Sequence, residues 1–417
     1  MQGKWQIGSI LGIPLYLDSS WLIILLLITL VNAADITNQG LTENLPGLAW
    51  LAGLIMALLL FGSVLLHELG HSLVARSQGI TVNSITLFLF GGVAAIDRES
   101  KNPAGAFWVA IAGPGVSFSL FIIFFILTQW LNSSKFLGSI SGVLADLNPL
   151  LLYMMEDLAR INLVLGIFNL IPGLPLDGGQ ILKAIVWKIT GDRFTGVRWA
   201  AVSGKLIGWF AIVTGLFFIL VTGVLSPLWI ALIGWFILRN ANTYERLTSL
   251  QESLLKIMAS QAMTRNFRVI NAHLTLSQFA QEYIIDDLNS SLAYYGASEG
   301  RYRGLIRIKD LKSIEGNQWE YYTLMDIVHP LTAIPSVLEN TPLIEVIEKL
   351  ESTTELRLTV LSPAGAVAGV IDRGDIIKVI AIEHNLPIDD HEINRIKVEG
   401  TYPPYLKLPA IAKSLRD

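Results

Sequence analysis

Long stretches without a single charged residue constrain this chain more than any other feature. Five of them contain no Asp, Glu, Lys, Arg or His: residues 19–34, 45–66, 102–134, 161–176 and 206–238. A helix needs about 20 apolar residues to cross the hydrocarbon core of a bilayer. The last stretch is long enough for two helices and is interrupted by Gly223 and Pro227, which favours a hairpin. The sequence therefore predicts about six membrane-spanning helices.

Composition and charge placement agree with a membrane protein. Hydrophobic residues make up 52% of the chain and charged residues 15%, which departs from soluble proteins toward apolar character. Lysine and arginine are enriched in cytoplasmic loops. With the N-terminus inside, most basic residues fall in inner loops, and the outer loops hold little more than Lys135 and Arg160. We therefore expect a multi-pass protein of the lipid bilayer with a cytoplasmic N-terminus and a cytoplasmic tail, and no nucleic-acid partner.

A metal-binding pattern, HELGH, lies at residues 67–71, at the end of the second apolar stretch. Residues four apart share a helix face, so His67 and His71 can bind one Zn²⁺, with Glu68 beside them to take a proton from water. In a soluble protein the same pattern is often just a solvated helix face. Ionisable residues inside an apolar span are costly and usually functional, which favours a metal site here. The chain has no cysteine, so its ligands must be His, Asp or Glu.

A third ligand is needed, because catalytic zinc usually has three protein ligands and a water. Asp177 follows a segment broken by Pro172 and Pro175, and irregular backbone at membrane depth is tolerated only where it lines an enclosed or watery cavity. Asp177 is therefore the candidate, with a cap for the following helix as the alternative. Asn169 is a candidate donor to an oxyanion, or else a satisfied amide between helices.

The segment between the zinc pattern and the third apolar stretch has strand character. Residues 80–96 alternate apolar positions such as Ile85 and Leu87 and contain Gly91-Gly92, which predicts a strand or hairpin. An exposed strand edge would hold an unwound substrate segment by β-addition, whereas a simple packed hairpin is the alternative. Further along, Gly113-Pro114-Gly115 is interpreted as close helix packing.

The tail beyond residue 256 contains an internal repeat. GLIRIKDL at 304–311 returns as GVIDRGDI at 369–376. Each copy predicts a short strand, an amphipathic helix, two strands and a helix. The first strands are expected at 267–270 and 331–334, and the helices after them at 276–284 and 343–350.

The chain resembles the site-2 protease family of intramembrane zinc metalloproteases. The resemblance covers roughly residues 1 to 245. It rests on HELGH at 67–71, the block from Asn169 to Asp177-Gly178-Gly179, Phe90-Gly91-Gly92 and Ala112-Gly113-Pro114-Gly115. It implies one zinc per chain held by His67, His71 and Asp177, with Glu68 activating water, Asn169 assisting at the oxyanion, and transmembrane proteins as substrates.

The tail resembles a CBS domain pair, a module that often packs its halves around an adenosine nucleotide. The resemblance implies ribose contacts at Asp310 and Asp375 and allows a homodimer through the pair. In nucleotide-binding members a Ser or Thr commonly stands three residues earlier, whereas this chain has Arg307 and Asp372. Capping of the helices that follow is therefore the alternative role for both aspartates.

Together these features predict an α-helical polytopic membrane protein followed by an α/β CBS domain pair. The expected divisions are a protease domain at 1–247, CBS domains at 256–318 and 323–385, and an extended tail at 386–417. The predicted function is a zinc metalloendopeptidase that cuts peptide bonds within or near transmembrane segments, with its activity modulated by the cytosolic CBS pair. The alternatives are a metal-dependent transporter and a non-proteolytic receptor that retains the zinc site.

Overall fold

A computed structural model describes residues 4–42, 46–89, 91–133, 143–284, 292–403 and 406–416. Phe90 and Lys135, which entered the sequence argument, lie outside these ranges. The chain divides into two compact units, Met1–Thr248 and Ser249–Asp417.

Helices dominate the first unit. In the described ranges they are α1 (Ser20–Asn38), α2 (Pro46–Ser77), α3 (Pro103–Ser133), α4 (Val143–Asn169), α5 (Asp177–Thr190), α6 (Arg193–Thr222) and α7 (Leu228–Lys256), whose last residues belong to the second unit. Among the described residues, four segments have the length and apolarity of membrane spans: Ser20–Asn38, Gly47–Ser77, Pro103–Asn132 and Arg193–Thr222. The predicted helical membrane class is confirmed, and the count of six spans stays a prediction.

The outer surfaces of these helices are apolar. In α6, for example, Phe210 and Leu220 are 74% and 84% exposed. Large apolar surfaces of this kind are rare on water-soluble monomers. They are the expected contact surface for lipid chains, which accounts for helices that are apolar on nearly every side.

The fourth apolar stretch does not form one continuous helix. Helix α4 ends at Asn169, and the chain turns before α5 begins at Asp177. The turn is anchored on α6 because the Leu174 N–H donates to the Ala200 carbonyl at 3.1 Å. Gly179 allows the turn to close tightly, since a Cβ there would lie 2.4 Å from the Gly173 carbonyl carbon. This turn sets the position of Asp177.

A four-stranded sheet packs beside the end of α2. Its strands are β1 (Lys4–Ile10), β2 (Ile13–Asp18), β3 (Val82–Phe88) and β4 (Gly91–Ile96), in that order. The predicted hairpin at 80–96 is present as antiparallel β3 and β4, and β2 pairs with β3 in parallel. Strands β1 and β2 were not predicted from the sequence. They form because Ile13 and Leu15 are buried in one core with Ala75 of α2 and Ile85 of β3.

The second unit contains two α/β halves, as the repeat predicts. Its elements begin with α8 (Ala259–Ala262), β5 (Phe267–Asn271), α9 (Leu276–Phe279), a π-helical turn (Ala280–Ile284), β6 (Ala293–Ser298), β7 (Arg301–Ile306), α10 (Ile308–Leu311) and β8 (His329–Pro330). They continue with β9 (Ser336–Leu338), α11 (Leu343–Glu351), β10 (Arg357–Leu361), β11 (Val367–Asp372) and α12 (Arg373–Glu383). The sheets are ordered β5-β6-β7-β8 and β11-β10-β9.

One strand of the repeat was placed wrongly from the sequence. Residues 331–334 form a turn, and the first strand of the second half is β9, a few residues later. The turn closes with a hydrogen bond from the Ala333 N–H to the Pro330 carbonyl at 2.8 Å. Pro330 and Pro335 flank the segment, and proline has no N–H for a strand ladder. Pro335 therefore explains why the strand starts only at Ser336.

The expectation of an extended tail at 386–417 was also wrong. Residues Asp390–Glu399 form α13, and Leu408–Arg416 form α14. Ile396, Leu408 and Ala412 are at most 1% exposed and share the core of the second half. Pro409 is the second residue of α14, a position where a helix tolerates proline, so apolar burial decides the structure.

Candidate metal centre

The two halves of the predicted zinc site meet inside the first unit. His67 and His71 project from α2, and Asp177 is the first residue of α5. Asp177 Oδ2 lies 3.0 Å from His67 Nε2 and 3.2 Å from His71 Nε2, and the two Nε2 atoms are 3.2 Å apart. The histidines are 4% and 8% exposed. Three candidate ligand atoms thus converge on one enclosed point.

The donor set fits zinc. Bonds of about 2.0–2.2 Å to a tetrahedral centre separate neighbouring ligand atoms by about 3.3 Å, close to the three distances observed. The Asp177 carboxylate does not cap α5, which was the alternative role for this residue. The N-cap of α5 is Leu176, and the Asp177 carboxylate contacts the two imidazoles instead.

Both imidazoles are oriented by partners on α3. His71 Nδ1 donates to the Val109 carbonyl at 2.6 Å, because a carbonyl oxygen only accepts. His67 Nδ1 lies 2.9 Å from the hydroxyl of the fully buried Ser117. These contacts leave each Nε2 facing Asp177, the arrangement that outer partners of metal-binding histidines commonly provide. Ser117 was not predicted from the sequence, where its only signal is a hydroxyl within an uncharged stretch.

Gly113 of α3 makes space for the metal site. A Cβ built at Gly113 would lie 2.1 Å from His71 Nε2 and 2.6 Å from His67 Nε2. The sequence suggested helix packing for this glycine. In the structure, a side chain at Gly113 would collide with the candidate metal ligands themselves.

Glu68 lies between α2 and the sheet. The Ala94 backbone N–H of β4 donates to its carboxylate, and a Cβ at Gly92 would lie 2.6 Å from its Cγ. The candidate base is therefore held against the end strand of the sheet. Helix α2 is also hydrogen-bonded to α4. The buried Asn162 amide of α4 donates to Ser63 Oγ at 3.1 Å, one turn before His67.

Asn169 is the last residue of α4, directly before the segment that leads to Asp177. Its Nδ2 donates to the Leu165 carbonyl at 3.0 Å. This hydrogen bond lies within α4, so the amide does not bridge helices through it. The role of Asn169 at an oxyanion stays a prediction.

The two aspartates predicted to contact a nucleotide have different environments. Asp310 Oδ2 lies 2.6 Å from His329 Nε2, and both side chains are partly exposed. Asp375 is 2% exposed and contacts Lys397 of α13. It also accepts from the Asp372 N–H at 3.2 Å in a capping box at the start of α12. Burial and the Asp372 carboxylate raise the pKa of Asp375.

Arg307, three residues before Asp310, forms an ion pair within the second unit. Arg307 pairs with Glu355 at 2.8 Å, which joins the first half to the second. The two sheets are joined as well, since Tyr295 Oη and Thr359 Oγ1 form a buried hydrogen bond of 2.7 Å. Burial raises the pKa of Tyr295 to about 12.

Comparison with known proteins places these features in families. The profile of peptidase family M50 matches residues 55–203, and the CBS domain profile matches residues 325–382. A Synechocystis protein whose name assigns it to the zinc metalloproteases is 38% identical over 91% of this chain and 96% of its own length. A zinc metalloprotease of Methanocaldococcus jannaschii is 30% identical over 90% of this chain and 96% of its own length.

Solved structures are similar to this chain as well. The site-2 protease from Methanocaldococcus jannaschii is 30% identical, covers 58% of this chain and 95% of that chain, and gives a TM-score of 0.40. The fold and site define a membrane-embedded zinc metalloprotease joined to a CBS module. The chain belongs to peptidase family M50, the site-2 proteases.

The space at Gly113 yields a direct test. We expect Gly113→Ala to lower zinc content several-fold, because its Cβ would overlap both imidazole Nε2 atoms. Helicity should be unchanged, since alanine favours helix more than glycine does. Gly115→Ala is the matched control, because a Cβ there meets nothing within 4 Å. Zinc is measured by elemental analysis of purified protein, and equal zinc in both variants would contradict this view of Gly113.

Proposed function

We propose that His67, His71 and Asp177 hold one Zn²⁺ per chain and that Glu68 is the base for peptide-bond hydrolysis in transmembrane proteins. The convergence of three ligand atoms inside apolar helices supports this most directly. Buried ionisable groups at this depth are costly unless they serve one another or a metal. Glu68 stands next to the first ligand and is fixed by β4.

The reaction is attack of water on a peptide carbonyl. When bound, zinc supplies a Lewis acid that polarises the carbonyl and lowers the pKa of water. Glu68 accepts the proton of the attacking water and returns it to the leaving amine. The second N–H of the Asn169 amide is the proposed donor to the oxyanion. Ser117 and Val109 hold the imidazoles in place, and the surrounding apolar side chains keep bulk water out.

The rival functions use the same metal ligands differently. A transporter needs a path of polar side chains, and a receptor needs only affinity for its ligand. Neither requires a carboxylate held beside the ligands by a backbone N–H. The position of Glu68 therefore favours hydrolysis over both.

Glu68→Gln separates catalysis from metal binding. The amide keeps the size of the side chain but cannot take a proton, so cleavage should fall by about 100-fold or more. Zinc content should stay at one per chain, whereas Asp177→Asn should lower it. Substrates are found by comparing membranes that contain wild type or Glu68→Gln and scoring truncated single-span proteins. Cleavage by Glu68→Gln at the wild-type rate would overturn the mechanism.

We also propose that β4 holds the substrate. This strand is the end strand of its sheet in the described part of the chain, and Val93 on it is 52% exposed. An extended peptide can add to such an edge by main-chain hydrogen bonds. Because β4 also contacts Glu68, a segment added there would run past the candidate base. A transmembrane helix must unwind before it can bind this way.

The strand assignment predicts a position-specific crosslink. A photoreactive residue at Val93 in the Glu68→Gln background should crosslink to a substrate segment, because that variant binds without cutting. The matched control is the same residue at Trp5 of β1, which is 49% exposed on the opposite end of the sheet. Products are identified by mass spectrometry. Equal crosslinking at both positions, or none at Val93, would remove β4 from substrate binding.

The proposed topology places the N-terminus and the CBS pair in the cytoplasm. The excess of lysine and arginine in the predicted inner loops supports this orientation. A CBS pair on that side is accessible to soluble ligands, and a homodimer through the pair is the proposed assembly.

If the pair binds an adenine nucleotide, we infer that the Asp310 side is the open one. Asp375 is enclosed by its capping box and by Lys397, whereas the Asp310 side chain is 28% exposed. ATP or AMP should bind the full-length protein in calorimetry, and Asp310→Ala should weaken binding at least tenfold. Asp389→Ala is the control, since Asp389 lies away from the repeat motifs. No binding at millimolar nucleotide would favour a docking or dimerisation module instead.

A further inference from the structure

The α6–α7 hairpin has a well-defined polar boundary. The helices are antiparallel and touch at Gly208 and Gly234, where a Cβ on Gly208 would lie 2.8 Å from the Gly234 carbonyl oxygen. Residues 206–222 and 228–238 are uncharged. The first cations beyond them are Lys205 in α6 and Arg239 in α7. The apolar parts of both helices therefore end near the same level.

Tryptophans lie on the apolar side of this boundary. Trp209 is one turn from Lys205 and is 56% exposed, and Trp235 is one turn from Arg239 and is 50% exposed. Exposed tryptophan followed by basic residues marks the membrane–water interface. The start of the polar half of α7 therefore lies at headgroup level.

A groove of about 440 Å³ runs along this part of α7. It is lined by Trp235, Leu238, Arg239, Asn242, Thr243 and Arg246. Positions 235, 239, 242 and 246 follow the helical repeat and form one stripe. The stripe rises by about 16 Å from its first to its last residue, because each helical residue adds about 1.5 Å.

Within the described part of the chain, no carboxylate pairs with the positive charge in the groove. The Arg239 guanidinium lies 5.4 Å from the centre of the Trp235 ring. Among the described residues, neither Arg239 nor Arg246 forms an ion pair with a carboxylate. The nearby acid, Glu245, is held by Lys205 of α6 at 2.9 Å. Two guanidinium groups and the Asn242 amide therefore face one groove, and no described residue supplies them with an anionic partner.

We propose that this groove binds the phosphate of an anionic lipid headgroup. Guanidinium groups bind phosphate oxygens through paired, charge-assisted hydrogen bonds. A lipid fits better than a soluble phosphate because the groove begins at Trp235 and Leu238, beside the apolar surface that acyl chains cover. Such a lipid attaches α7 to one leaflet just before the chain enters the second unit.

The test uses the full-length protein in neutral detergent and native mass spectrometry. Phosphatidylglycerol, phosphatidylcholine or inorganic phosphate is added, and retained molecules are counted. The variant is Arg239→Gln with Arg246→Gln. Lys188→Gln with Arg198→Gln removes the same charge from α5 and α6 and serves as control.

Wild type and control should retain about one more phosphatidylglycerol than the double variant, and phosphatidylcholine should not substitute for it. The affinity loss should be about 30-fold, because each arginine near an anionic surface contributes about a fivefold factor. Equal retention by all three proteins would overturn the proposal. Displacement of the lipid by an equal concentration of inorganic phosphate would also overturn it, because the site would then be one for soluble phosphate.

Discussion

The first unit depends on one constraint: three ionisable side chains lie deep among apolar helices, and each must find its partners there. An isolated charge in such a place is strongly disfavoured. His67, His71 and Asp177 meet that constraint together, since their ligand atoms lie within 3.2 Å of one another. Their remaining polar atoms are directed by α3. The position of α3 against α2 is therefore as important to the site as the ligands themselves, and Gly113 is the residue that permits it.

Two further parts of the first unit position Asp177 and Glu68 at the candidate metal site. The turn between α4 and α5 interrupts an apolar stretch and delivers Asp177 to the histidines of α2. The sheet beside α2 delivers a backbone N–H to Glu68. Irregular backbone within a membrane domain is tolerated where other groups satisfy its hydrogen bonds, and the bond from Leu174 to Ala200 does so for the turn. Strand β4, the proposed binding edge for an extended peptide, also contacts Glu68, so the base lies beside that edge.

The second unit satisfies several of its charged side chains by internal pairing. Lys397 contacts both Asp372 and Asp375, and Arg307 pairs with Glu355 across the halves. These contacts come partly from α13, beyond the repeat itself. The two halves are therefore unequal even though their sequences repeat, and this inequality is the basis for assigning the open side to Asp310.

The sequence by itself determined the features that are local in the chain. Uncharged stretches predict apolar helices, HELGH predicts two ligands on one helix face with a base beside them, and the repeat predicts two α/β halves. The pairing of Asp177 with a histidine 110 residues away was reached only because few ionisable residues lie in apolar surroundings. Tertiary structure alone decided the roles of Ser117 and Gly113, the strands β1 and β2, and the helices of the tail. These depend on contacts between segments far apart in the chain, and residue periodicity records only which face is buried, not what lies against it.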